Sequence, residues 1–166
     1  MIAALLLFWA GSALAHGNHH HAQAETPATP DAALALKVAY GKIGEAYVQR
    51  VRPIFLEKCF DCHSNKTVYP NYYKIPGIKQ YIDSDIAEGR EHLDFSNDYP
   101  FVSHATPLED LDAIKKAIEE GTMPPLLYRL MHRETAIAPD EKRLIFDWVD
   151  WSRSQLQAAT SLTKKN

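Results

Sequence analysis

The sequence predicts an all-α domain with long loops, and three observations carry that prediction. Apolar residues recur at three- and four-residue steps in several windows. No segment keeps a sustained two-residue alternation, and prolines and glycines stand where helices would begin and end. The chain has 166 residues, 46% of them hydrophobic, enough for one domain with its own core. Its 18 basic and 21 acidic residues are evenly mixed, for a net charge of −3. That balance excludes the basic surface required for nucleic-acid binding.

The first fifteen residues read as a secretion signal. An apolar stretch containing Leu5, Leu6, Leu7, Phe8 and Trp9 precedes the small-x-small pattern Ala13, Leu14, Ala15. No Lys or Arg precedes the stretch, which departs from the usual signal. The stretch is shorter than the ~20 residues that span a bilayer, so cleaved export to the periplasm is expected, with no stable membrane span. Residues 16–31 are polar and rich in Ala, Pro and Thr, as in a disordered linker. Its histidines, His16, His19, His20 and His21, would form a Cu(II) or Ni(II) chelate with a free amine at His16. The plainer reading is a soluble tail. The folded domain is expected over 32–157, followed by a disordered tail over 158–166.

Within the domain, Ile43, Tyr47, Val51, Ile54 and Phe55 form one apolar stripe. Pro53 divides it into helices over 32–50 and 53–62. A tyrosine-rich loop over 64–76 leads to a helix over 77–92 carrying Ile78, Ile82 and Ile86 at four-residue steps. After a loop over 97–103, Thr106 as N-cap, Pro107 and Glu109 make a capping box. Leu108, Leu111, Ile114, Ala117 and Ile118 line one face of that helix, and Gly121 closes it. Thr122, Met123, Pro124 and Pro125 are expected to run extended, before a short turn over 126–132. The last helix starts at Pro139 and runs to about 157, with Leu144, Ile145, Trp148 and Trp151 predicted as its buried face.

The chain has two cysteines, and they lie in Cys59, Phe60, Asp61, Cys62, His63, the C-x-x-C-H pattern of c-type haem attachment. Positions i, i+3 and i+4 share one face of a helical turn. That face can present two thiols for thioether bonds and an imidazole for iron. Two other chemistries compete. A thiol–disulfide motif belongs at a helix N-terminus, where its pKa falls, whereas this pair follows residues 53–58 within its helix. A zinc site would need a fourth ligand, and no second C-x-x-C accompanies this one. Opposite His63, Met123 is the favoured ligand because its two following prolines can hold it off a helix. His132, His104 and His92 are alternatives, Met131 reads as core filler, and an open iron is the remaining case.

Further residues resemble a known group. They are Val51 to Phe55 ahead of the motif, Ser64 to Thr67 with Tyr69 and Pro70, and Asp85 to Leu93 with Phe95 and Ser96. Gly121 to Pro124 and Asp140 to Lys142 with Asp147 and Trp148 continue the match. Together they resemble the bacterial haem-binding domain family related to class I c-type cytochromes. The resemblance implies a small cytochrome c-like helical domain with long loops around one covalent haem c. Cys59 and Cys62 would be attachment points, His63 the proximal ligand, and Met123 the methionine of the Met-Pro element. The extra N-terminal helix over 32–50 lies outside the resemblance.

The function expected is single-electron transfer between redox partner proteins outside the cytoplasm. The alternatives are a haem peroxidase or a gas or redox sensor with an open sixth position, and a non-haem thiol or metal-binding protein. For the second His63 nitrogen, a carbonyl near Pro70 or Pro76 is the expected acceptor. Arg90, Lys74, Tyr72 and Tyr73 are candidate donors to haem propionates.

Overall fold

The computed structural model describes residues 30–161. The expected signal peptide, the histidine cluster and most of the linker lie outside the described residues, as does the end of the expected tail. The domain is mostly helical, as the periodicity predicts. Its helices are α1 (Pro30–Ala46), α2 (Arg52–Lys58), α3 (Phe60–His63), α4 (Ile78–His92), α5 (Pro107–Glu119), α6 (Leu126–Met131) and α7 (Pro139–Ser161). Two-residue strands β1 (Leu93–Asp94) and β2 (Val102–Ser103) pair antiparallel, with Leu93 opposite Ser103. A ladder this short has no room for the alternation that reveals strands in a sequence.

The predicted break at Pro53 is present but displaced. Residues Tyr47–Val51 form a π turn in which the Arg52 N–H reaches back five residues to the Tyr47 carbonyl. Pro53 explains the displacement, because it offers no N–H and its ring excludes the carbonyl four residues earlier. The stripe itself is buried as predicted: Ile43, Tyr47, Val51 and Phe55 are at most 1% exposed.

The core is aromatic. Tyr47 meets Phe55, Phe101 and Trp148 with ring centroids 5.8, 5.2 and 5.5 Å away, and Phe95 meets Phe55 and Phe101 at 4.9 and 4.7 Å. α7 packs along α1 and α5, and the Trp148 indole donates to the Ile43 carbonyl at 3.3 Å. Two residues predicted for the buried face of α7 are exposed, Leu144 at 43% and Trp151 at 39%. The buried stripe is Ile145, Trp148, Val149, Ser152, Leu156 and Ala159, and Leu144 and Trp151 each stand one position off it. Burial of Leu156 and Ala159 carries the helix past 157 to Ser161.

α5 begins as predicted, with the Glu109 N–H donating to the Thr106 hydroxyl at 3.3 Å and the Thr106 N–H donating to the Glu109 carboxylate at 2.8 Å. Beyond Gly121, at φ +67°, the expected extended run is instead a bend at Met123 and Pro124, joined by a cis peptide bond. α4 and α6 contain no buried residue. None of the described helices is long and apolar enough to cross a membrane.

Candidate haem site

The functional turn is built from backbone outward. The Cys59 N–H closes on Phe55 O at 2.9 Å, and the Cys62 and His63 N–H groups both return to Cys59 O, at 3.2 and 3.0 Å. The spacing therefore delivers Cys59, Cys62 and His63 on one turn, as expected. Ser64 ends it, its hydroxyl donating to Phe60 O at 2.7 Å and accepting from the Lys66 N–H.

His63 is held by the segment after α4, not by the proline loop. Its Nδ1 lies 2.9 Å from Leu93 O, and the Phe95 N–H donates to His63 O at 2.7 Å. The expected acceptor near Pro70 or Pro76 is thus corrected to Leu93, where β1 lies against the motif. A donor to a carbonyl must carry the proton, so Nδ1 is the N–H and Nε2 keeps its lone pair. Burial lowers the pKa of the ring, although the Leu93 hydrogen bond opposes this, and the imidazole is neutral at physiological pH.

Gly89 lets α4 approach this turn. A Cβ at that position would lie 3.0 Å from the Cys62 carbonyl oxygen and 3.5 Å from His63 Cε1. Asp61, between the cysteines, is a second positioning residue that sequence reasoning missed. One carboxylate oxygen accepts from the Val68 N–H at 2.9 Å and the other from the Tyr128 hydroxyl at 2.6 Å. Its backbone carbonyl accepts from Thr67.

Both cysteines are unpaired. Burial, with Cys62 alongside and Lys58 opposing, pushes the Cys59 thiol up to about 12. Burial together with Asp85 and Asp61 pushes Cys62 up to about 11. A disulfide-exchange nucleophile needs the opposite shift, so the thiol-redox reading loses its chemistry. Among the described residues, no group of three or more His, Cys, Asp or Glu side chains is arranged to hold a metal ion.

The remaining candidates are dispersed. Met123 sits at the foot of α5 and is 42% exposed, on a segment separate from the motif. Met131, read from sequence as core filler, is 63% exposed, because α6 presents no side chain to the core. His132 Nε2 lies 2.6 Å from the Tyr72 hydroxyl, and its ring stacks on Tyr128 at 4.6 Å. His92 is exposed, 4.0 Å from Glu88, and His104 is exposed near the start of α5. Of the propionate candidates, Arg90 pairs with Asp94 at 3.1 Å, Tyr73 donates to Asp83 at 2.7 Å, Tyr72 is joined to His132, and Lys74 is exposed. Arg90 also borders an open hollow of about 430 Å³ with Tyr69, Asp83 and Ile86.

The donor set fits a c-type haem. Two unpaired thiols and a neutral imidazole with a committed tautomer share one turn. The segments tied to that turn carry uncovered apolar side chains: Val68 (75%), Ile75 (50%) and Tyr81 (52%), and Leu126, Leu127 and Leu130. A large apolar ligand seated here would remove such a surface from water.

A small helical domain that exposes one such turn defines a haem-binding module, and the match to known families agrees. The family model described as "Haem-binding domain" matches residues 24–151, taking in the N-terminal helix expected to lie outside it, and the chain belongs to that family. Over 103 residues, 61% of the chain, it is 29% identical to cytochrome c peroxidase Ccp of Escherichia coli (strain K12), and the chain spans 22% of that relative's length. No solved structure matches.

Proposed function

We propose that the chain is an exported mono-haem c-type cytochrome that transfers single electrons between redox partner proteins outside the cytoplasm. Cys59 and Cys62 hold the haem covalently, His63 is the proximal ligand and Met123 the distal one. The observation that carries this reading is the His63 Nδ1 contact to Leu93 O at 2.9 Å beside two unpaired thiols on the same turn. The bound haem supplies an iron that cycles between two oxidation states. The chain's part is to fix the imidazole tautomer and ring orientation through Leu93, to hold the turn against α4 at Gly89, and to present both thiols on the same turn.

A peroxidase or sensor with a labile sixth position is the second reading, favoured by the similarity to a cytochrome c peroxidase. Its distal acid–base candidate would be His132, whose Nε2 is engaged by Tyr72. Spectroscopy of the haem-loaded chain separates the two. Electron transfer with Met123 as ligand predicts a weak methionine–iron band at the red edge of the oxidised spectrum and slow carbon monoxide binding when reduced. The Met123→Ala variant should lose the band. Persistence of the band in Met123→Ala, or rapid carbon monoxide binding by the native protein, overturns the assignment.

A further inference from the structure

Residues 124–135 cross beside the motif as a strap that apolar burial does not hold. Pro124 and Thr135 are buried at its ends, but Leu126, Leu127, Leu130 and Met131 between them are 60–63% exposed. Polar contacts hold it instead. The Tyr128 hydroxyl donates to Asp61 Oδ2 at 2.6 Å, and Lys58 Nζ donates to the Glu134 carbonyl. The Tyr72 hydroxyl lies 2.6 Å from His132 Nε2. His132 Nδ1 faces Glu134 Oε1 at 3.6 Å, beyond hydrogen-bond reach, so the short contact of its ring is the one to Tyr72. Two of the three ties end inside the motif or on the residue just before it, and the third ends in the loop that follows it. Met123 stands at the head of the strap.

We propose that Tyr128, with the Tyr72–His132 pair, is a positioning latch that holds the 124–135 strap and Met123 onto the C-x-x-C-H turn. Strap opening then governs access of small ligands to the iron face opposite His63. This rests on the haem assignment made above. A hydrogen bond to a carboxylate is among the stronger kinds, and a segment that buries no apolar side chain between its two ends opens when such bonds are lost.

The test uses the haem-loaded full chain and the variant Tyr128→Phe, with amide exchange read along the sequence and cyanide association measured on the oxidised protein. Loss of the phenol hydroxyl should speed exchange over 126–135 by roughly ten- to a hundredfold, leave α5 and α7 unchanged, and quicken cyanide association several-fold. Tyr72→Phe should act in the same direction. Asp61→Asn keeps an acceptor for Tyr128 and should fall between wild type and Tyr128→Phe. Unchanged exchange over 126–135 overturns the latch, as does equal acceleration along α5 and α7. Local acceleration with unchanged cyanide association overturns its role in access. Haem content of the same samples is scored separately: a chain without haem refutes the proposed function, while the exchange comparison still decides whether Tyr128 holds the strap.

Discussion

Replacing Gly89 with alanine puts a methyl group 3.0 Å from the Cys62 carbonyl oxygen, 3.4 Å from its carbon and 3.5 Å from His63 Cε1. Two effects oppose each other. Alanine inside a helix is favoured over glycine by about 1 kcal/mol, but forcing a methyl group against packed backbone costs about 1–3 kcal/mol. The carbonyl belongs to the motif turn, which His63 N–H and Phe95 N–H contacts already hold in place, so α4 must retreat. The net loss should be about 1 kcal/mol, or a Tm lower by about 3–5 °C. Gly41 is the matched control, since a Cβ in its place on α1 meets nothing within 4 Å. Gly41→Ala should therefore raise stability by up to about 1 kcal/mol. Because Leu93 follows directly from α4, the retreat should also loosen the Nδ1 contact and shift the midpoint potential, which Gly41→Ala should leave alone. Thermal melts and potentiometry on the haem-loaded variants decide the matter. If Gly89→Ala stabilises the protein as Gly41→Ala does, the close approach of α4 to the motif is refuted.

Three other predictions concern the scaffold. Asp110 is 3% exposed, and burial, with Glu109 adding and the Ser103 hydroxyl opposing, pushes its carboxyl up to about 6 from an ordinary 3.8. A raised native pKa means that the protonated form stabilises the fold below pH 4 and that this contribution is lost as pH rises through 6, about 3 kcal/mol at most. Asp110→Asn should thus melt higher than wild type at pH 7 and lose that advantage by pH 4; a gap independent of pH contradicts this. The Tyr47 hydroxyl is buried with no hydrogen-bond partner, so Tyr47→Phe should be neutral or stabilising by about 1 kcal/mol in denaturant titrations. A loss of that size would reveal a partner for the hydroxyl. Thr106→Ala removes the α5 N-cap and should cost about 1 kcal/mol, read as a lower denaturation midpoint.

What was legible in the sequence follows from how local each signal is. The motif turn needs only the spacing of Cys59, Cys62 and His63, and the α5 cap needs only Thr106, Pro107 and Glu109. The stripe from Ile43 to Phe55 marked the core correctly, and the π turn was missed because Pro53 acts on the residues before it. Leu93 could not be found by residue type, since its carbonyl is what holds His63 and every residue has one. Gly89 reads as an ordinary glycine until α4 is laid against the Cys62 carbonyl. Leu144 and Trp151 were misplaced by one helical position, where apolar character alone cannot distinguish the stripe from its edge. α6 reversed the expectation for Met131, because Tyr128 and His132 anchor it by polar contacts to side chains outside the helix.

The most direct test of the haem assignment is the intact mass of the chain after co-expression with haem-maturation machinery, measured after acid–acetone extraction. One haem should stay with the polypeptide and map to the peptide carrying Cys59 and Cys62, and be lost from the variant with both cysteines changed to alanine. Haem that extracts freely, or a chain mass with no haem added, would contradict covalent attachment at this turn.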